Sequence, residues 1–164
     1  MSVPVRERGE SPVEFLDLAR KIRVETLRYC LKLPKRLTFY MGTDTMAHAN
    51  EVAAATRAAN SIYVTNRHEA QLRRDLLIQA NNALQKLDGN LGTIYDYLME
   101  NPEIFAEALK DDEENREERK KRIRKGKRRV ASATQAITAL INQEAEKIKG
   151  LKDSDRRRYK DLPD

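Results

Sequence analysis

The stretch Leu76–Leu98, LLIQANNALQKLDGNLGTIYDYL, keeps apolar residues at helical spacing from end to end. From Leu76 the seam steps through Ala80, Ala83, Leu87, Leu91, Ile94 and Leu98, at intervals of 4, 3, 4, 4, 3 and 4 residues. Such intervals hold side chains on one face of an α-helix, and their near-heptad rhythm is that of helices packed side by side. Asp88-Gly89-Asn90 places turn chemistry inside the stretch. A break at Gly89 is the alternative, but the seam keeps its register across it and predicts one helix. Asn66-Arg67-His68-Glu69 marks the start, with Asn at the cap and Glu three residues on. Asn101-Pro102 marks the end.

Towards the N-terminus, Ser11-Pro12-Val13-Glu14 reads as a helix start, with Ser11 as cap and Pro12 at the first helical position. Phe15, Leu18, Ala19, Ile22, Leu27, Cys30 and Leu31 follow at helical spacing, and Pro34 closes this helix. A second helix is expected from Lys35 to about Tyr63, on a stripe that includes Leu37, Met41, Thr45, Ala49, Val52, Thr56 and Ala59. Gly42 weakens its first turns by up to ~1 kcal/mol relative to Ala. Ala53, Ala54, Ala55, Ala58 and Ala59 leave room for a close helix neighbour.

Towards the C-terminus, residues 103–109 read as a short amphipathic turn or two, and 111–118 are mostly acidic. Arg116–Arg129, REERKKRIRKGKRR, then opens into Val130, Ala133, Ile137, Leu140, Ile141, Ala145 and Ile148. One long fourth helix over 112–149 is predicted, weak at Gly126 and capped by Gly150. Glu117 with Lys121, and Glu118 with Arg122, stand at the favoured i,i+4 spacing. The expected organisation is a flexible segment 1–10, a bundle over 11–150 and a loose basic tail 151–164. The fold class is all-α: an up-down antiparallel four-helix bundle with a long, charged approach to its last helix.

Composition agrees with that class. Charged residues make up 35% of the 164 residues and aromatics 5%, with no Trp, which disfavours sandwiches and barrels. The net charge of +6 favours polyanionic partners, nucleic acid or an anionic surface. Cys30 stands alone, so no intrachain disulfide forms, and it reads as a small buried hydrophobe in a cytoplasmic chain. No run of 18 apolar residues appears, so no membrane span is expected. HExxH, GxxxxGK[ST] and GxGxxG are all absent, and no nucleophile, base and orienting acid group together. The expectation is a protein that is not an enzyme and holds no metal or cofactor. Asp111, Asp112, Glu113 and Glu114 are consecutive on a helix-prone stretch, so they point different ways and read as a solvated acidic face.

The candidate nucleic-acid-binding residues are Arg119, Lys120, Lys121, Arg124, Lys125, Lys127, Arg128 and Arg129, with Arg73 and Arg74 as a second group. Dense Lys and Arg on one helix suit phosphate contacts. The competing reading is an ion-paired, solvated face, with the acidic segment folded against the basic one. For Arg73 and Arg74 it is a salt bridge between helices.

Leu33-Pro34-Lys35, the Ala-rich helix through Arg57-Ala58-Ala59-Asn60-Ser61-Ile62, Asn66, Leu72-Arg73-Arg74-Asp75 and the Ala80, Leu84, Leu87 run resemble one family. It contains the proteins encoded in ribosomal-RNA intervening sequences and the accessory variability determinants of diversity-generating retroelements. Ile148–Arg156 is similar to the retroelement members. The resemblance covers roughly 14–98 and 130–158 and rests mostly on packing positions. It implies an up-down four-helix bundle, without catalytic residues. Its retroelement members imply a basic homopentamer that binds RNA or DNA and partners a reverse transcriptase. The acidic-then-basic insert, about 103–129, departs from the family pattern. A structural or protein-interaction subunit of a phage or mobile element is the second functional reading, and an antitoxin-like partner-neutralising protein the third.

Overall fold

The computed structural model describes residues 12–110 and 112–163. The expected cap Ser11, the segment 1–10 and Asp111 lie outside the described residues. Four long helices follow in order. Helix α1 is Pro12–Cys30. Helix α2 has three parts, Lys35–Leu37, a π-helical turn Thr38–Gly42 and Thr43–Ser61. Helix α3 is Arg67–Glu100 and helix α4 is Arg116–Arg158, with a 3-10 turn, Pro102–Ala106, between them. No strand occurs among the described residues.

Polar contacts between helices fix the antiparallel order. Asn90 donates to Asp44 at 2.9 Å, and Gln79 to Glu51 at 3.3 Å, so α3 runs back along α2. Thr138 donates to Asp88 at 3.2 Å and Arg73 to Asp155 at 2.7 Å, so α4 runs back along α3. Thr134 meets the Tyr29 hydroxyl at 3.3 Å and Lys147 meets Glu14 at 3.4 Å, which returns α4 to α1. Each helix therefore packs on its two chain neighbours and α4 closes on α1. This is the up-down four-helix bundle of the sequence reading.

The core lies along α3. Leu77, Ala80, Ala83, Leu84, Leu87, Leu91, Ile94 and Leu98 are all fully buried, while Leu76 is only half-buried. The helix passes Gly89 unbroken, as the seam predicts. Asn66 caps it, accepting from the Glu69 N–H at 2.9 Å. Glu69 answers by accepting from the N–H and hydroxyl of Thr65, each at 2.7 Å, which holds its carboxyl below the usual range. Buried Thr26, Thr45 and Thr56 return their hydroxyls to the carbonyls of Ile22, Met41 and Val52, so no hydroxyl is left without a partner there.

Two glycines behave differently from the sequence reading. Gly42 sits in the π-helical turn, buried against Thr38, and the Cys30 thiol reaches its carbonyl at 3.8 Å. Gly150 does not end α4, which continues to Arg158. The boundary read at 150 thus falls inside a helix. A mid-helix Gly costs up to ~1 kcal/mol. Packing outweighs it, because Leu151 joins the core and Asp155 locks to Arg73. Beyond the helix, the Pro163 carbonyl accepts from the Arg67 N–H at 2.9 Å.

Gly126 is required by contact. A Cβ there would stand 2.9 Å from the Phe105 Cβ, with ring carbons closer still. Gly89 has nothing within 4 Å of the same position. Gly89→Ala is therefore expected to raise stability by up to ~1 kcal/mol. Gly126→Ala is expected to lower it, since overpacking of about 1–3 kcal/mol exceeds the propensity gain. Urea unfolding measures both, and adding Phe105→Ala, which removes the ring carbons but keeps the Cβ, should shrink the penalty of Gly126→Ala.

Candidate nucleic-acid interface

The basic half of α4 reaches past the end of α1. Thr134 already lies beside Tyr29, one residue before α1 ends. The residues just before it still share a cleft with Tyr95 of α3, and the α1–α2 link and the 3-10 turn approach the helix next to them. Phe105 seats on Gly126, and Arg119 donates to Glu103 at 2.5 Å and to the Leu109 carbonyl at 3.1 Å. These contacts choose which way the helix faces. Arg119, Ile123, Gly126 and Val130 form the covered side.

That choice sorts the cations. Arg119 is 18% exposed and serves the fold. Lys120 pairs with Glu117 at 2.9 Å and Arg122 with Glu118 at 2.9 Å. The expected Glu118–Arg122 pair forms, while Glu117 takes Lys120 rather than Lys121, and that hydrogen bond holds its carboxyl below the usual range. Lys121, Arg124, Lys125, Arg128 and Arg129 are exposed and make no ion pair among the described residues; Lys127 is half-buried. The spacing of Lys121, Arg124, Lys125 and Arg128 is i, i+3, i+4 and i+7, one helix face. Sequence alone spreads the cations around the helix; the covered side gathers the unpaired ones into a stripe about two turns long.

The stripe costs stability. Like charges at i,i+3 and i,i+4 each destabilise a helix by about 0.2–0.5 kcal/mol, and Lys121–Lys125, Arg124–Arg128 and Lys125–Arg129 are such pairs. No ion pair among the described residues offsets that repulsion at Lys121, Arg124, Lys125, Arg128 or Arg129. Beside the stripe is a groove of about 460 Å³, where Lys32, Arg128 and Arg129 approach Phe105 and Val130. Cations next to an aromatic ring suit a phosphate with its base.

Arg73 does not belong to this face. It is 13% exposed, bound to Asp155 at 2.7 Å and to the Ala59 carbonyl at 2.8 Å, and it ties α2, α3 and α4 together. The interhelical salt bridge, the competing sequence reading, is what forms. Arg74 is exposed, but at the opposite end of the bundle. About 46 Å of helix separates Lys125 from Arg156 near it, at 1.5 Å per residue.

Other candidate chemistry is sparse. Asp112, Glu113 and Glu114 are exposed, and no group of three or more His, Cys, Asp or Glu placed to hold a metal occurs among the described residues. Cys30 is buried and its thiol is pushed up to about 11, so it is a poor nucleophile. No helix among the described residues is long and apolar enough to cross a membrane. No family model, curated protein or solved structure matches the chain.

Sequence reasoning missed Glu144. It is fully buried, neither carboxyl oxygen has a partner among the described residues, and burial pushes its pKa up to about 8. The signal was present: Ile137, Ile141, Glu144 and Ile148 step by 4, 3 and 4 along one face. A folded-state pKa above the unfolded one means that the folded chain holds a proton the unfolded chain has released. Stability should therefore fall as pH rises from the ordinary glutamate value towards about 8. The slope is at most about 1.4 kcal/mol per pH unit. Urea unfolding across that window should show the fall in the parent, and Glu144→Gln, which cannot ionise, should flatten it.

Proposed function

We propose that this protein is a nucleic-acid-binding accessory subunit with no catalytic activity of its own. It acts in the cytoplasm, as a homo-oligomer of five, beside the reverse transcriptase of a diversity-generating retroelement. One observation carries the binding: the unpaired stripe Lys121, Arg124, Lys125 and Arg128, with Arg129 at its edge, held outward on a helix clamped from behind. The retroelement, the reverse transcriptase and the five-fold assembly rest on the family resemblance of the packing positions. The low aromatic content and the small residues of α2 support assembly, since a lone bundle of this composition is marginal.

Binding through such a stripe is largely independent of sequence and weakens steeply with salt. Each phosphate contacted contributes about −0.7 to −0.9 to the slope of log affinity against log salt, depending on strandedness. Lys125, Lys127, Arg128 and Arg129 replaced together by Gln should bind RNA and DNA more weakly, with a flatter slope. The variant should unfold no more easily than the parent, because like-charge repulsion is relieved. An unchanged affinity and slope in a folded variant would make the stripe a solvated face.

A second reading has its own observation. Leu27 and Leu31 are 46% and 73% exposed on α1, and Phe39 and Tyr40 project from the π-helical turn at 78% and 74%. Such apolar exposure favours a protein-interaction subunit. Light scattering at micromolar concentration separates the parts of the proposal: a monomer mass removes the oligomer, whatever the nucleic-acid result.

A further inference from the structure

At the end of the bundle remote from the stripe, the N-terminal turns of α3 and the C-terminal turns of α4 enclose a cleft of about 300 Å³. Arg67 and Arg74 line it from α3, Lys152 and Arg156 from α4, and Lys160 from just beyond the end of α4. The acid that lines it, Asp155, is taken by Arg73 at 2.7 Å, so its charge is answered from outside the cleft. Ala70, Leu77 and Tyr159 supply apolar wall, with Leu77 fully buried. The walls are held: Arg73 ties α3 to α4, and the Arg67 N–H is bound by the Pro163 carbonyl.

Cations suit the last turn of α4, where Arg156 stands. Arg74 is exposed on α3 and makes no ion pair among the described residues. Two helices thus bring positive charge to one concave, half-apolar space. Convergent cations around a small cleft match the charge of a phosphate, to which guanidinium groups donate paired hydrogen bonds.

We propose that this cleft is a second anion site that takes a phosphate group, carried either by a nucleic-acid strand or by a free polyphosphate. It rests only in part on the reading above, since the free-polyphosphate arm needs no nucleic acid. The test compares three forms of the full chain: the parent; Arg74→Gln, Arg156→Gln and Lys160→Gln together; and a charge-matched control, Lys121→Gln, Arg124→Gln and Lys125→Gln together. All six replaced side chains are exposed, and the Arg73–Asp155 lock is kept. Circular dichroism checks that each is folded, and calorimetry titrates inorganic pyrophosphate and a single-stranded oligothymidylate.

A loss of pyrophosphate affinity of at least about tenfold in the cleft variant, absent from the control, supports the site with a free polyphosphate as its ligand. The same loss for the oligothymidylate alone supports it with the strand as ligand. Parental affinity of the cleft variant for both probes overturns the proposal, as does an equal loss of pyrophosphate affinity in the control, which would reflect net charge alone. The control reads the stripe separately, through the oligothymidylate. If it binds the oligothymidylate like the parent while the cleft variant does not, the stripe fails and the cleft stands; if it loses the oligothymidylate while the cleft variant keeps parental affinity for both probes, the cleft fails and the stripe stands.

Discussion

The fold depends on covering one face of α3. Eight side chains from Leu77 to Leu98 are fully buried on it, and a large aliphatic side chain gains about 1.5–3 kcal/mol from such burial. No single neighbour can cover that face. Helix α2 does so with small residues, Ala49, Val52, Ala55 and Ala59, which let it approach closely. Helix α4 contributes Ile137, Ile141 and Ile148, and α1 closes the ring with Phe15, Ala19 and Ile22. The core section of α4 is short beside its full 43 residues. Beyond Ile137 and Ile148 neither end of α4 holds a fully buried residue, and both ends are basic.

What the sequence made legible follows from local chemistry. The α3 seam, its Asn66 cap and its passage through Gly89 are all set by residues within a few positions of one another. So is the i,i+4 pair of Glu118 and Arg122. The run of α4 beyond Gly150 was not legible, because its reason lies in Arg73, far upstream in the chain. The π-helical turn at Thr38–Gly42 was equally hidden. The Thr38 hydroxyl lies 3.3 Å from each of the Cys30, Leu33 and Pro34 carbonyls, a constellation that exists only once the α1–α2 link has closed.

The candidate site shows the same division. Composition identified the basic run, but not which cations the fold would use. Arg73 and Arg119 are consumed by structure, one as a lock between helices and one as an anchor for the 3-10 turn. The choice among the remainder was made by Phe105 on Gly126, a contact between a ring and an absent side chain. Periodicity cannot see such a contact, because glycine carries no hydropathy signal of its own.

Glu144 is the exception that the packing does not resolve. Every buried Thr returns its hydroxyl to a carbonyl one turn back, whereas this carboxyl has no partner for either oxygen among the described residues. Lys147 favours the charged form, but burial outweighs it, so near neutral pH the group is held mostly protonated. A buried neutral acid without a hydrogen bond still costs about 1–3 kcal/mol. An apolar residue of similar volume would remove that cost, so Glu144→Met should stabilise the bundle at every pH, and most above pH ~8, where the parent must bury the charge itself. Urea midpoints for Glu144→Met and Glu144→Gln separate the two contributions: Gln removes only the titration, while Met removes the buried polar group as well. If Met destabilises where Gln does not, the carboxyl site is hydrogen-bonded in solution, and the cost assigned to it here disappears.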